Sequence, residues 1–352
     1  MRLSRPIQPG RRPHVEVVVP CYKYGAYLPV CVESIISQPG VEATVTIVDD
    51  ASPDDSAEVA ARLAEQHRGV KLLRNEKNLG AVNTYNRGLR QADSDYVLLI
   101  SADDLVAPGA LGRAAALMEA NPSVGMVYGR AQKFSTEPHL RRPLPAESWT
   151  IWKGEDWISL QLHRGWSNIA SPEALVRTEV QHAAGYYDPE LKHTHDMEMW
   201  LRIAALSDIG HINGVDQAYY RRHPVSYSRQ FSVFEDIEER WTAYSQFLVT
   251  WQRTDLAGNL RGVVRRQLAD EALFDLLQTM EHDEVDDQTI DAALQLARDI
   301  DPQVVDRGQW QDVAARREGR RPDGLDGLAR TGVRELAFRA RWHRFRKYRY
   351  LG

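Results

Sequence analysis

The sequence predicts an α/β fold: a mostly parallel sheet flanked by helices, followed by a helical C-terminal region. Two observations lead to this expectation. Strand-like and helix-like runs alternate from residue 14 to about residue 128, whereas helical patterns dominate after residue 231. The 352 residues, with an apolar share of 43%, allow one large domain with an appendage or two domains. We therefore expect a first domain over residues 1–230 and a helical region over residues 231–352.

The strand-like runs are rich in β-branched residues, and the runs between them carry apolar residues at helical spacing. The predicted strands are HVEVVVP from His14, EATVTIVD from Glu42, VKLLRN from Val70, DYVLLIS from Asp95 and VGMVYG from Val124. The predicted helices are AYLPVCVESIISQ from Ala26, SAEVAARLAEQH from Ser56, AVNTYNRGLRQA from Ala81 and GALGRAAALMEAN from Gly109. Apolar runs of this kind are typical of a sheet covered on both faces.

The later part of the chain is less regular at first. Residues 130–166 contain several prolines and tryptophans, which predicts a variable, irregular segment on the substrate side. Helical spacing returns at THDMEMWLRIAAL from Thr194 and in one long amphipathic run, VFEDIEERWTAYSQFLVTWQ, from Val233.

Composition excludes several classes of protein. The net charge of −5 argues against a nucleic-acid binder, which needs a basic excess. Cys21 and Cys31 form neither a disulfide framework nor a metal-ligand pattern, so we expect a reducing compartment and inert thiols. No apolar run reaches the roughly 20 residues that span a bilayer, and the first residues lack the apolar part of a signal peptide. We expect a cytoplasmic protein.

The C-terminal segment is strongly basic. From Arg334 to the end it has seven Lys or Arg residues and one acid, and its aromatic residues follow helical spacing. Such a helix can lie on the anionic inner face of a membrane. The alternative is a solvated basic end that packs on an acidic part of the protein.

Pairs of acidic residues follow two of the predicted strands. Asp49 and Asp50 end the second strand, and Asp103 and Asp104 follow the fourth. Ligands of open parallel sheets bind outside the carboxyl ends of the strands. The segment PCYKYGAY from Pro20 holds the same position after the first strand, so three loops are expected to meet at one crevice.

Helix capping explains the neighbouring acids. Ser52 is the expected N-cap, Pro53 the first helical residue and Asp55 the third, with its carboxylate reaching back in a capping box. Asp49 and Asp50 precede that cap and remain available for a ligand.

Two adjacent carboxylates raise each other's pKa unless a cation neutralises them, which makes Asp103 and Asp104 candidate ligands of Mg²⁺ or Mn²⁺. The alternative is a turn of solvated acids before Pro108. The glycine-rich dinucleotide motif, the P-loop motif and H-E-x-x-H are all absent from the sequence.

Five segments together resemble the family 2 glycosyltransferases of GT-A fold, in the order found in that family and over about the first two-thirds of the chain. They are VVVPCYKYGAYL, VTIVDDASPDDS, NEKNLGAVNTYNRGLRQADSDYVLLISADDLVAPGAL, GYYDPELKHTHDMEMWLR and YYRRHPVSYSR. The resemblance implies a nucleotide-diphospho-sugar donor and inverting transfer to an acceptor hydroxyl.

The resemblance also assigns the donor pocket. Pro20 and Tyr22 would line the base pocket, and Asp50, with Asp49 as a second candidate, would accept a hydrogen bond from the base. Asp103 would lie near the ribose. Lys77 is a further candidate contact of the donor, or else a solvated surface lysine. An aspartate that accepts from a ring N–H favours UDP or dTDP as the carrier.

The same resemblance places the metal and the diphosphate. Asp104 would hold the metal, His223 would complete its ligands, and Arg222 or Arg221 would bind phosphate oxygens. The alternative for these basic residues is plain surface charge. Ser101 stands where many members of the family have the first acid of a D-x-D motif, which weakens the expected metal site.

Asp196 matches the catalytic base of the family, at the start of a helix where an anion is stabilised. Glu198 is the second choice, and a helix cap is the alternative role for Asp196. Side chains that could contact a sugar include His193, His195, Trp152, Trp157, Trp166 and Asn168, although tryptophans more often pack in a core.

We therefore expect a metal-dependent, inverting glycosyltransferase of polysaccharide or glycoconjugate biosynthesis. Its acceptor, a saccharide, a lipid-linked group or a small molecule, stays open. The competing hypothesis is a sugar-nucleotide-binding module without turnover, which Ser101 favours. A nucleotidyltransferase is a third option, but PCYKYGAY is a poor match to the glycine-rich loop of those enzymes.

Overall fold

The computed structural model describes residues 1–7, 10–136, 144–167, 169–222 and 231–320. Within these ranges the chain divides into two compact units. The first comprises residues up to 158 together with the stretch from 167 to 222, and the second comprises residues 159–166 together with those from 231 onward. His223, Asn168 and the basic C-terminal segment lie outside the described residues.

The described strands of the first unit form one sheet, in the order β1-β8-β10-β7-β9-β5-β2-β3-β4, with β6 beside β10. Strands β2 to β5 run parallel, and so do β7 and β10, while β9 lies antiparallel between β5 and β7. The strand bounds are β1 Arg2–Ser4, β2 His14–Cys21, β3 Glu42–Asp49, β4 Val70–Arg74, β5 Tyr96–Leu99, β6 Leu105–Val106, β7 Val124–Phe134, β8 Ser148–Trp152, β9 Leu175–Arg177 and β10 Asp208–Arg221.

Helices accompany these strands in the first unit, except that the fifth helix continues beyond Ile158 into the second unit. Their bounds are α1 Leu28–Ile36, α2 Ser56–Gln66, α3 Ala81–Leu89, α4 Ala110–Ala120, α5 Gly154–Arg164, α6 Thr178–Ala184 and α7 His195–Leu206. Each strand and helix predicted between residues 14 and 128 is present, because the apolar residues that carry the pattern are buried in the core. The predicted α/β class and mostly parallel sheet are confirmed.

Two expectations about α2 are wrong, namely its first residue and its capping box. Asp55 is the N-cap, and its side chain makes no capping hydrogen bond. Helix α2 begins at Ser56 rather than Pro53, because the Ser52 hydroxyl accepts a hydrogen bond of 3.1 Å from the Lys23 N–H instead of capping the helix. The carboxylate of Asp54 accepts hydrogen bonds of 3.2 and 2.6 Å from the N–H and hydroxyl of Ser56. The Ser52 side chain therefore bonds to the loop after β2 and does not cap α2.

The segment predicted to be irregular is largely regular where it is described. β7 extends to Phe134, and β8 and α5 follow. Trp152 and Trp157 are buried, and both pack on the ring of Tyr128. Packing of large apolar surfaces therefore explains these two tryptophans, and they offer no face to a sugar.

The second unit is helical beyond residue 231, as predicted. Its helices are α8 Val233–Thr250, α9 Thr254–His282, α10 Asp287–Ile300 and α11 Gly308–Arg317. A capping box between Ser232 and Glu235 starts α8. Buried Arg240 pairs with Glu271 at 2.8 Å, which ties α8 to α9. Among the described helices, none combines the length and the apolar character needed to cross a bilayer.

Candidate active site

Asp50 holds together the loop that precedes α3. Its Oδ1 accepts hydrogen bonds of 2.6 Å from the Asn75 amide and 2.8 Å from the Leu79 N–H, and its Oδ2 accepts one of 3.0 Å from the Gly80 N–H. The side chain is buried, and these three donors use both carboxylate oxygens. Asp50 therefore stabilises the path of the chain into α3.

Asp49 is bonded differently, although it is the adjacent residue and is fully buried. Its Oδ2 accepts a hydrogen bond of 3.3 Å from the Ser52 N–H and lies 3.7 Å from Nε of Arg74. Its Oδ1 has no hydrogen-bond partner among the described residues. A buried carboxylate oxygen without a donor is costly, so this oxygen is suited to accept a hydrogen bond from a ligand.

The turn between β3 and α2 contains a strained residue. Ala51 has a φ of 53°, and Lys23, which donates its N–H to Ser52 in this turn, has a φ of 62°. Left-handed conformations are unfavourable for residues with a Cβ atom and are often found at functional sites.

The loop after β2 is held tightly against α2. The Gly25 N–H donates a hydrogen bond of 2.9 Å to the Ser56 hydroxyl, and a Cβ atom on Gly25 would lie 2.7 Å from the Ser56 Cα. Pro20 is half-buried opposite Val48, and Tyr22 is 39% exposed. The Lys23 ammonium lies over the ring of Tyr22, 5.1 Å from its centroid, and the role of Tyr22 as a wall of a base pocket stays a prediction.

This loop also lies between the two acidic pairs. Burial raises the pKa of the Cys21 thiol to about 11, and the nearby charge of Asp49 adds to that shift. Burial likewise raises the pKa of Tyr24, to which the charges of Asp103 and Asp104 contribute. The three loops expected at one edge of the sheet do meet there. Lys77 is exposed, in the segment between β4 and α3.

Asp104 is held from across the sheet. It is 2% exposed, and its Oδ1 accepts a hydrogen bond of 2.7 Å from the backbone N–H of Arg221. Burial, followed by the charge of Asp103, raises the pKa of Asp104 well above its usual range. The neighbouring carboxylates therefore repel each other in a poorly solvated place, as the sequence predicted.

Arg221 and Arg222 differ in what their side chains do. The Arg221 guanidinium donates a hydrogen bond of 2.9 Å to the Asp103 carbonyl and lies over the rings of Tyr27 and Phe134. The Arg222 side chain is exposed at the end of β10. Arg221 supports the acidic loop, so Arg222 is the better candidate for binding a phosphate.

The donor set at Asp103 and Asp104 fits a hard divalent cation. The two carboxylates lie side by side, and the charge of Asp103 contributes to the raised pKa of Asp104. Mg²⁺ and Mn²⁺ prefer oxygen ligands of this kind and usually complete their coordination shell with phosphates. Within the described part of the chain, no three His, Cys, Asp or Glu residues cluster as a ready metal site. The backbone carbonyl of Ser101 accepts a hydrogen bond of 3.0 Å from the Asp104 N–H, so Ser101 shapes this turn.

Asp196 lies in the first turn of α7. Its Oδ1 accepts a hydrogen bond of 2.6 Å from the Met197 N–H, and its Oδ2 lies 3.5 Å from the Ser171 hydroxyl. Burial is the main cause that raises the pKa of Asp196, against the lowering effect of His195. A carboxylate with a raised pKa is a stronger base, which suits removal of a proton from a hydroxyl.

Glu198 is committed to a salt bridge. Its two carboxylate oxygens accept hydrogen bonds of 2.7 Å from Nε and from Nη2 of Arg202. Arg202 in turn donates to the carbonyls of Ala184 and Tyr186. The second choice for the base therefore has a structural role, because its carboxylate orients Arg202.

Three aromatic rings surround the start of α7. The ring of His195 lies 5.3 Å from that of Tyr187 and 5.8 Å from that of Tyr85, and the two tyrosine rings are 6.2 Å apart. Sequence reasoning singled out neither tyrosine nor Ser171. The signal for the tyrosines was present, since both belong to segments that carry the family resemblance.

Comparison with known proteins relates part of the chain to one family. The sequence model of glycosyl transferase family 2 matches residues 16–177. An uncharacterized protein of Mycobacterium tuberculosis is 30% identical over 207 residues, which are 56% of this chain and 64% of that protein. The uncharacterized glycosyltransferase YibD of Escherichia coli is 26% identical over 187 residues, 50% of this chain and 54% of that one. The chain thus spans less than two-thirds of either relative.

Two solved structures share the fold. The Staphylococcus aureus TarS fragment 1–349, in complex with UDP-GlcNAc, has a TM-score of 0.64 at 19% identity, covering 89% of this chain and 95% of that one. The mannosyltransferase PcManGT of Pyrobaculum calidifontis, in complex with GDP-Man and Mn²⁺, has a TM-score of 0.59 at 16% identity, covering 95% of this chain and 82% of that one. At these identities the likeness establishes the fold.

Proposed function

We propose that this chain, whose residues 16–177 match the glycosyl transferase family 2 model and whose fold is that of TarS, moves a sugar from a nucleotide-diphospho-sugar to an acceptor hydroxyl. The observation that carries the proposal is the pair of acidic loops at the carboxyl ends of parallel strands, together with a basic Asp196 in the same unit.

The donor base binds between the loop after β2 and the end of β3. Asp49, rather than Asp50, accepts a hydrogen bond from the base, because within the described part of the chain Oδ1 of Asp49 has no partner whereas both oxygens of Asp50 already accept hydrogen bonds. A ring N–H of uracil or thymine supplies that donor, which supports UDP or dTDP as the carrier. Pro20 and Tyr22 flank the ring. Of the two solved neighbours, TarS is in complex with UDP-GlcNAc and PcManGT with GDP-Man, so support for a pyrimidine comes from the acceptor at Asp49.

The diphosphate and a divalent cation bind at the second acidic loop. Asp104 holds Mn²⁺ or Mg²⁺, Asp103 lies near the ribose, and Arg222 contacts phosphate oxygens with Lys77 as a further cation. The bound cation would supply Lewis-acid stabilisation of the charge on the leaving diphosphate. His223 as a ligand of the cation stays a prediction.

Asp196 acts as the general base of an inverting displacement. The acceptor hydroxyl gives its proton to the carboxylate of Asp196 while its oxygen forms a bond to the anomeric carbon. The bond between that carbon and the diphosphate oxygen breaks on the opposite face, and the electron pair leaves with the nucleoside diphosphate. The raised pKa of Asp196 supports this role, since an ordinary aspartate is a weaker base.

The acceptor is a saccharide, a lipid-linked group or a small molecule, and a lipid-linked one agrees with a basic tail at the membrane. That tail lies outside the described residues, so the membrane contact and the cytoplasmic location stay predictions. A sugar-nucleotide-binding module without turnover is the second candidate, which Ser101 in place of an acid favours.

Donor binding and turnover separate these two candidates. Thermal shifts with UDP-, dTDP- and GDP-sugars, each with and without Mn²⁺, identify the donor, because a ligand stabilises the state it binds. Release of nucleoside diphosphate is then compared between the parent and Asp196→Asn. We expect turnover in the parent and a loss of about 100-fold or more in the variant with binding intact. Equal, near-zero turnover in both, despite binding, would favour the module.

A further inference from the structure

The turn that leads from α6 towards α7 is held by side chains from several elements. Four consecutive carbonyls, those of residues 184–187, each accept a side-chain hydrogen bond. Arg202 donates to Ala184 and, at 2.8 Å, to Tyr186, and the Gln181 amide donates to Gly185 at 2.8 Å. The fourth carbonyl, that of Tyr187, accepts a hydrogen bond of 2.7 Å from the amide of Asn86.

Asn86 is the only one of these donors that comes from α3. Its amide oxygen also accepts a hydrogen bond of 2.9 Å from the Tyr187 N–H, so both backbone groups of one residue pair with one side chain. Asn86 is 2% exposed. A buried pair of hydrogen bonds to fixed backbone atoms determines position closely, because moving either partner leaves polar groups without partners.

Tyr187 connects this clamp to the base. Its ring packs edge-to-face on His195 at 5.3 Å, and His195 directly precedes Asp196. Burial and the charge of Asp196 both raise the pKa of Tyr187, which places its hydroxyl in the field of that carboxylate.

Helix α3 is fixed to the donor side of the site at two points, one before and one after Asn86. Asp50 binds the N–H of Gly80, which precedes α3, and a Cβ atom on Gly88 would lie 2.3 Å from Cγ1 of Val18 in β2. Helix α3 therefore lies tightly on the strands whose ends carry the donor loops, and Asn86 lies between those anchors.

We propose that Asn86 is a positioning residue, which sets the location of Asp196 relative to the donor pocket by clamping the backbone of Tyr187 from α3. The proposal rests on the proposed function for its kinetic consequence. Asn86 is buried and its amide pairs with the backbone of Tyr187, so its loss should slow transfer without weakening donor binding. A misplacement of about 1 Å can cost about 100-fold in rate.

The test compares Asn86→Ala and Asn86→Asp with Asn121→Ala. Asn121 is also buried and donates a hydrogen bond of 2.8 Å, to Leu117 at the end of α4, away from the proposed site. We expect the two Asn86 variants to lose about 10- to 100-fold in kcat with the donor Kd changed by less than about twofold. Asn86→Asp keeps an acceptor for the Tyr187 N–H, but it places a carboxylate oxygen against the Tyr187 carbonyl in place of a donor. We therefore do not expect Asn86→Asp to restore the kcat lost in Asn86→Ala. Asn121→Ala should keep kcat.

Hydrogen exchange of the folded chain supplies a readout that does not depend on turnover. Asn86→Ala should remove the protection of the Tyr187 amide and speed exchange over residues 193–197, whereas Asn121→Ala should change neither. If the parent proves inactive, the proposed function fails, and exchange alone decides the clamp. Unchanged exchange at the Tyr187 amide in Asn86→Ala would overturn the proposal, as would an equal loss of kcat in Asn121→Ala. Should Asn86→Ala not fold, Asn86→Asp supplies kcat and the exchange over residues 193–197, and a parent-like result in both would overturn the proposal.

Discussion

The backbone N–H of Arg221 donates a hydrogen bond of 2.7 Å to the carboxylate of Asp104, which lies 117 residues earlier in the chain. Beside it, β6 pairs with β10 through Tyr219 and Leu105. The end of β10 therefore determines where the second acidic loop lies. Through this contact the end of β10, which follows the proposed base in the chain, reaches the acidic pair. Arg222 is the next residue after this contact.

Asp49 and Asp50 should separate donor binding from stability. Asp49→Asn is expected to weaken donor binding about 10-fold, because it alters the acceptor that faces the base, with little effect on unfolding. Asp50→Asn should lower the free energy of unfolding by about 1–3 kcal/mol, because an amide cannot accept from all three donors. Calorimetric titration and urea unfolding measure the two effects. A stronger binding defect in Asp50→Asn, at full stability, would contradict this assignment.

The rate should depend on the ionisation of Asp196. Its pKa is raised, and the base must be ionised, so kcat should fall with decreasing pH at a higher pH than an ordinary aspartate would give. Between the unfolded and folded pKa values the native state binds the extra proton, so stability falls as pH rises through that window. Asp196→Asn should thus be at least as stable as the parent at neutral pH while losing activity. Pre-steady-state rates and urea unfolding across pH measure both, and a stability loss in Asp196→Asn would show a structural role.

Removal of divalent cations should abolish transfer. Treatment with EDTA is expected to reduce the rate by about 100-fold or more, and Mn²⁺ should restore it, because the diphosphate then leaves without Lewis-acid assistance. Asp104→Asn should require more Mn²⁺ for half-maximal rate. Asp93→Asn, at an exposed position in the same unit, is the matched control and should behave as the parent. Full activity of the parent in EDTA would reject a metal-dependent mechanism.

Ala51→Gly should stabilise the protein. The left-handed φ of 53° at Ala51 is unfavourable with a Cβ atom and accessible to glycine. Because glycine also increases the entropy of the unfolded chain, the net gain should be about 0.5–1 kcal/mol. Ala57→Gly, inside α2, should instead cost about 1 kcal/mol. Urea unfolding of both variants gives the comparison, and a loss of stability in Ala51→Gly would refute strain at this turn.

Gly88→Ala should destabilise the first unit. The added Cβ would lie 2.3 Å from Cγ1 of Val18 and 3.1 Å from Cγ2 of Val48, so α3 would have to move off the sheet. Overpacking of this kind costs about 1–3 kcal/mol. Gly258→Ala, in α9, meets no atom within 4 Å and should gain up to about 1 kcal/mol. Thermal unfolding of the two variants tests the contrast, and equal midpoints would disprove the close approach of α3.

The sequence by itself determined the class of fold, the resemblance to family 2 glycosyltransferases and the location of the acidic loops. Strand and helix periodicity depends on which residues are buried along one element, so the course of β2 and β3 and the acids at their ends could be read locally. The long helix α8 was visible for the same reason. The regular elements within residues 130–166 were missed, because prolines and tryptophans carry no clear period.

Only the tertiary structure decided which members of each candidate pair are engaged elsewhere. The loop before α3 engages both carboxylate oxygens of Asp50, Arg202 engages Glu198, and the acidic loop engages Arg221. By contrast, Oδ1 of Asp49 has no hydrogen-bond partner among the described residues, and the Arg222 side chain is exposed. Asn86 meets Tyr187 across 101 residues. Such hydrogen bonds join residues far apart in the chain, and adjacent residues of the same type look alike in the sequence. Their difference arises only when the fold brings a partner to one of them.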